Sequence, residues 1–262
     1  VSAAPRIHLG DAQTASDVAT FVRRARAVDD DGARLTVTPL AGDAGARLDV
    51  TVPVLTRAGL LDTGPEVFGV RSWSIRSADP VDAVYDHAAL LDRLERGDGT
   101  EWPVPPSEVH KAWAGQSIPR SGWAEAGVLD GSALREGERA GSQEIADALP
   151  SDPGQAMLRQ ARRAVWGRPE SSLGGLPLGV GFAAVRLGFV GRGPEGLEPR
   201  EGVRPGLGAQ PGGAAGADGP QHGQAAAAAS LDRVRVFQQG GLVLVAMRFG
   251  VVVVRLAGAE AS

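Results

Sequence analysis

The last part of the chain constrains the fold most. Three runs, VRVFQ, LVLVAMRF and VVVVRL, are separated by Gln239-Gly240-Gly241 and by Gly250. Short β-rich runs cut by glycine predict a three-stranded antiparallel meander, since glycine supplies the positive φ that tight turns require. Residues 251–254 are valine at every position, so both faces of that strand are apolar. Such a strand has to be covered on both sides, or it becomes an exposed edge prone to aggregation.

The second constraint is residues 102–123, WPVPPSEVHKAWAGQSIPRSGW, which hold three of the five tryptophans, four prolines and the only lysine. A free linker would leave those large rings in water, so this segment is predicted to be an ordered connector lying against a folded surface. Before it, Asp11 or Thr14 caps a helix running to about Ala27, with Val18, Phe21, Val22 and Ala25 on one side. Leu35, Val37 and Pro39, then Leu48, Val50, Val52 and Val54, alternate as in a hairpin with one buried face. Residues 67–77 form another strand, with Phe68, Val70 and Ser72 set against Val67, Arg71, Trp73 and Ile75. A helix from Asp86 or His87 stops at Gly97. Residues 1–97 therefore read as a small α+β domain with an antiparallel sheet.

Beyond the connector (98–123), residues 124–262 read as a mainly helical second domain closed by the meander. Ser132, Ser142 and Asp152 are the expected helix caps, with helical bodies over 143–149 and 153–166. Residues 176–190 (LPLGVGFAAVRLGFV) predict a buried helix whose small residues allow close packing. Residues 191–230, rich in Gly, Pro and Ala, are expected to be a disordered insertion. The overall class is α+β.

Three pieces, the connector ending in IPRSGW, the apolar LPLGVGFAAVRLGFVG and the terminal GGLVLVAMRFGVVVVRL, together resemble two-domain actinobacterial proteins of unknown function. In these a small N-terminal α+β domain, a PR-G-W connector, a helical segment and a closing β-element follow one another. The resemblance implies that arrangement here and brings no catalytic residue. The insertion at 191–230 departs from the tighter join that the resemblance implies.

Chemistry is sparse. The chain has no cysteine, which excludes disulfides, thiol nucleophiles and thiolate metal sites and fits a cytoplasmic protein. A formal charge of −4 argues against general affinity for nucleic-acid backbones. Basic residues number 15 against 23 acidic ones over residues 1–150, and 12 against 8 over 151–262. The Arg, Ala and Gly enrichment is a coding bias of GC-rich genomes rather than a binding signature. The most apolar window, 242–256, is broken by Arg248 and Arg255 and is too short to span a bilayer.

Asp29-Asp30-Asp31-Gly32 lacks the alternate ligand spacing of a calcium loop and reads as a solvated turn. His8, His87, His110 and His222 are scattered, without a metal-binding pair. Gly179-Val180-Gly181-Phe182-Ala183-Ala184 fits G-x-G-x-x-A, but no βαβ unit surrounds it, so helix packing explains its small residues better. Ser117 and Ser121 near His110 carry no nucleophile elbow. Glu136 with Glu138, and Glu144 with Asp147, are solvated pairs on helices. No catalytic, cofactor-binding or metal residue is assigned, and no cofactor is expected.

The residues that carry a functional expectation are Trp102, Trp113, Arg120 and Trp123, as an interaction or inter-domain surface. They favour a non-catalytic protein-binding or regulatory module with an unidentified protein partner. The alternative is an enzyme with a dispersed site between the two domains. A third reading is a nucleic-acid-associated factor using Arg159, Arg162 and Arg163.

Overall fold

The computed structural model describes residues 5–42, 45–59, 61–97, 99–115, 117–191 and 233–258. The expected insertion at 191–230 therefore lies, apart from Gly191, outside the described residues. The fold is α+β, with two antiparallel sheets among the described residues. Strands β1 (Arg6–His8), β5 (Ser77–Ala78) and β7 (Glu101–Pro103) form a small sheet in the order β5-β1-β7. The large sheet holds β2 (Ala33–Pro39), β3 (Ala46–Leu55), β4 (Glu66–Ile75), β6 (Asp82–Tyr85), β8 (Ala124–Asp130), β9 (Arg233–Gln239), β10 (Leu242–Met247) and β11 (Gly250–Arg255). Its order is β6-β2-β3-β4-β11-β10-β9-β8.

The C-terminal strands form the meander that the glycines predict, with Gly240 at φ +56° in the β9–β10 turn. Strand β11 pairs antiparallel with β4, Val251 opposite Val70 and Val253 opposite Phe68, so strands from both ends of the sequence share one sheet. This places the four valines at the centre of the sheet.

Among the described residues, five helices, α1 (Ala12–Val28), α2 (His87–Arg96), α3 (Gly131–Ala148), α4 (Gln155–Trp166) and α5 (Gly179–Arg186), accompany the sheet. Side chains alternate along each strand. Val52, Val67, Trp73, Val236, Val245, Val252 and Val254 belong to the main core with Phe21, Val22, Leu134, Trp166 and Phe189 from the helices and their flanks. Phe21 meets Trp73 edge-on at 5.7 Å and stacks on Phe189 at 5.8 Å. The chain after α5 presses close against the sheet: a Cβ on Gly69 of β4 would sit 2.1 Å from Leu187 Cδ1.

All three helix starts expected after the connector differ from expectation. Residues 131–148 are one helix, capped by Asp130, whose carboxylate accepts from the Ser132 backbone N–H at 2.8 Å. Ser142 starts no new helix, because its hydroxyl donates to Glu138 Oε1 one turn earlier at 2.8 Å. Helix α4 begins after Gly154 rather than under an Asp152 cap. Strands β6, β7 and β8 carry no sequence signal: β6 and β7 are short, and β8 is exposed and lacks apolar alternation.

Candidate interaction face

Register fixes what the second face of the large sheet presents. Arg34, Thr36 and Thr38 of β2, Arg47, Asp49 and Thr51 of β3, and Ser72 of β4 lie on it, with Asp82 and Val84 of β6. That half is polar and internally paired. Asp82 takes two guanidinium bonds from Arg34, at 2.7 and 2.9 Å, which hold its carboxyl below the usual range. Asp49 pairs with Arg47 at 2.9 Å and accepts from the Ser72 hydroxyl at 2.6 Å. The other half is mainly apolar, with the Glu66–Arg255 pair at one end of β4 and β11 and Arg235 beside Phe237. Phe68 and Val70 of β4, Val251 and Val253 of β11, Leu242, Leu244 and Ala246 of β10, and Phe237 of β9 follow one another across the strands.

The Trp/Pro connector runs over this face as a strap. Trp102, on β7 opposite Ile7, is fully buried and anchors its start. Val109 N–H then donates to Val84 O at 2.8 Å, and Lys111 bonds Asp31 at 2.6 Å, a contact that raises the lysine pKa. A 3-10 turn at Ala112–Gly115 seats Trp113, 5 % exposed, on Phe68 and Val84. Its Ala114 carbonyl accepts from Arg34 Nη1 at 2.8 Å. Farther on, Ile118 and Trp123 pack on the group formed by Val70, Leu244 and Val253. Trp123 Nε1 donates to Pro119 O at 2.9 Å, closing this bend, and Arg120 lies 3.8 Å from Asp49.

The four expected surface residues therefore separate. Trp102 and Trp113 are buried, whereas Trp123 is half-buried and Arg120 is exposed at the strap's edge. Phe237, Leu242, Ala246, Val251 and Ile118 are also only partly covered. Sequence reasoning did not single these out. The alternation of Val234 and Val236 against Arg235 and Phe237 carried the signal, but only the register shows that Phe237 and Trp123 share a face.

Other groups that the sequence raised lie elsewhere. Arg162 Nη1 donates to Val28 O at 3.2 Å at the end of α1, Arg163 lies 3.8 Å from Asp62, and Arg159 is exposed. Two of these three arginines thus serve internal contacts. A cleft of about 340 Å³ beside β6 is lined by Arg34, Glu108, His110 and Lys111, of which Arg34 and Lys111 are held by Asp82 and Asp31. His87 is fully buried with Nδ1 3.5 Å from Asp30, and burial pushes its pKa down. In the G-x-G-x-x-A stretch, a Cβ at Gly181 would come 2.6 Å from Leu134 O, so this glycine serves the close contact of α5 with α3. Among the described residues, no group of three His, Cys, Asp or Glu side chains is arranged to hold a metal ion. No helix among them is long and apolar enough to cross a membrane.

Fold and face together define an α+β platform with one helical face and one strapped face. The chain belongs to the family described as Domain of unknown function (DUF8185), which matches residues 118–259. Residues 2–115 match a second family, Domain of unknown function (DUF8010). The two matches meet within the strap, while the β4–β11 pairing joins the matched segments in one sheet. Neither a curated protein nor a solved structure matches the chain.

Proposed function

We propose that this protein is a non-catalytic protein-binding or regulatory module. Its contact surface is the apolar half of the strapped sheet face, centred on Trp123 and Phe237. The observation that carries this reading is the row of partly covered apolar side chains, Ile118, Trp123, Phe237, Leu242, Ala246 and Val251, on the face opposite the main core. Partly covered aromatics beside arginines are the composition of interface anchors. Arg235 stacks on Phe237 at 4.9 Å, and Arg120 stands at the strap's edge. A protein partner fits such a surface better than a small substrate, which needs an enclosed pocket.

The same reading divides the chain into an N-terminal unit (1–97), a connector (98–123) and a C-terminal unit (124–262). The connector serves as both cement, through Trp102 and Trp113, and contact, through Trp123. On this reading the protein works in the actinobacterial cytoplasm, a view supported by its coding bias and its lack of cysteine.

The test is direct binding. Proteins retained by the immobilised chain from an actinobacterial lysate are purified and titrated against the parent, Trp123→Ala and Phe237→Ala chains, each checked for its fold by circular dichroism. Loss of about tenfold or more in affinity in both folded variants is the expected result for interface anchors. Unchanged affinity in both removes this surface from the proposal.

A further inference from the structure

The two edges of the large sheet are treated differently. At the β6 edge the strap closes the strand: Val109 N–H bonds Val84 O at 2.8 Å, and Trp113 packs on Val84. At the other end β8 has one strand neighbour, β9, among the described residues. None of the seven residues of β8 is buried, and Val128 is 53 % exposed.

Natural edges are guarded by lysine, proline, free charges or bulges. Strand β8 contains neither lysine nor proline. Its two charged side chains are turned to internal work. Glu125 is bonded by Arg235 of β9 at 3.0 and 3.3 Å, and Asp130 caps α3 through Ser132. A bulge between Glu125 and Gly127 distorts the start of the strand, but pairing with β9 is regular from Gly127 to Asp130. Past that bulge, residues 127–130 form a regular edge with an exposed valine, which is a template for another strand.

We propose that this edge is a self-association site: two copies of the chain join β8 to β8, antiparallel, about a two-fold axis through Val128. The occupant follows from how the strand complements itself. A two-fold axis perpendicular to the sheet keeps the helical faces of both copies on one side. It sets Val128 against Val128 of the second copy and Gly127 against Leu129, with Asp130 reaching Ala126 at the bulge. No two like charges oppose each other, and the two half-exposed valines cover one another. Register places Val128 beside Arg235 on the strapped face, so the joined sheets continue one another's face. The arrangement also ends at two copies, because the far edge of each sheet is closed by its strap; a self-complementary contact of this kind gives a closed dimer rather than a filament. Helix α3 starts at Gly131, so the seam is limited to the five residues 126–130 of each copy; it is small, and the dimer forms and dissociates with concentration. It does not depend on the partner surface proposed above.

Sedimentation velocity of the full chain over a range of concentrations, with a Val128→Lys chain alongside, tests this. The parent is expected to shift toward a dimer as concentration rises. Val128→Lys, which places a charge on the edge, is expected to stay monomeric with the parent's melting temperature. A second test uses the lack of native cysteine. In an antiparallel pair, opposed Cα atoms lie about 4.5 or 5.5 Å apart, within disulfide reach. Val128→Cys should therefore oxidise to a covalent dimer about tenfold or more faster than Met157→Cys, which is 50 % exposed on α4. A parent that is monomeric at every concentration overturns the proposal and leaves the edge to a strand of another protein. A dimer insensitive to Val128→Lys, or equal cross-linking rates at the two positions, overturns it as well. The cysteine comparison decides the matter if the lysine chain does not fold.

Discussion

Glu66 and Arg255 stand opposite each other in the β4–β11 register, both buried, with Arg255 Nε 3.7 Å from Glu66 Oε2. One comes from the N-terminal part of the chain and the other from its last strand, so this ion pair marks the seam between them. Arg57 stands 4.0 Å from the same carboxylate oxygen. Removing one member of a buried pair leaves the other charge without compensation, at a cost of about 3–5 kcal/mol. Glu66→Ala should therefore lower stability by about that amount in urea unfolding. The pair Glu66→Leu with Arg255→Met should recover most of the loss, because apolar side chains of similar size tolerate this site better than a lone charge.

Trp113 holds the strap to the sheet through Phe68, its ring centroid 6.1 Å away. Truncating a buried tryptophan removes its apolar contacts and leaves a cavity, costing about 3–5 kcal/mol. Trp113→Ala should show that loss in urea unfolding and faster hydrogen exchange at the Val109 amide, which bonds Val84. Trp123→Ala, at a half-buried position, should cost about 1 kcal/mol, close to the centre of ordinary point-mutant effects. The contrast separates cement from contact surface.

His87 makes stability depend on pH in a known direction. Burial lowers its folded pKa below the ordinary 6.5, against the opposing pull of Asp30 and Asp86 and alongside Arg26. The unfolded chain therefore binds the proton more readily than the folded one. Its contribution is complete above about pH 6.5 and is lost as pH falls from there toward the folded value. Thermal unfolding between pH 8 and pH 5 (about the span of a histidine titration) should show the melting temperature falling on the acid side. In His87→Gln that part of the slope should vanish. The carboxylates held down by arginine partners, such as Asp82, lose their contribution only at lower pH, below 3.8, so the two effects separate.

Gly181 lets α5 approach α3. A methyl group there would meet the Leu134 carbonyl oxygen at 2.6 Å, which is backbone and cannot swing aside. Gly181→Ala should destabilise the chain by about 1–3 kcal/mol, the usual cost of overpacking, despite alanine's better helix propensity. Equal or raised stability in urea unfolding would show that the two helices have room to separate.

Much of the local structure could be read from residue order because its causes are local. Asp11 caps α1, accepting from the Thr14 N–H at 2.7 Å, and Phe21, Val22 and Ala25 recur at the helical period. Leu48, Val50 and Val52 alternate at the strand period, and Gly240 turns the meander. The requirement that residues 251–254 be covered on both faces also came from composition alone. What covers them did not. Strand β8 has an exposed, glycine-interrupted sequence with no apolar alternation, and only its bonds to β9 make it a strand. The meander joins β4 because hydrogen bonding between strands is set by backbone geometry, which is common to every residue and leaves no mark in a single sequence. Trp113 and Trp123 look alike in the sequence. Their separation into one buried and one half-buried ring was decided by where the strap crosses the sheet: over Phe68 and Val84 at the first, and over Val70, Leu244 and Val253 at the second.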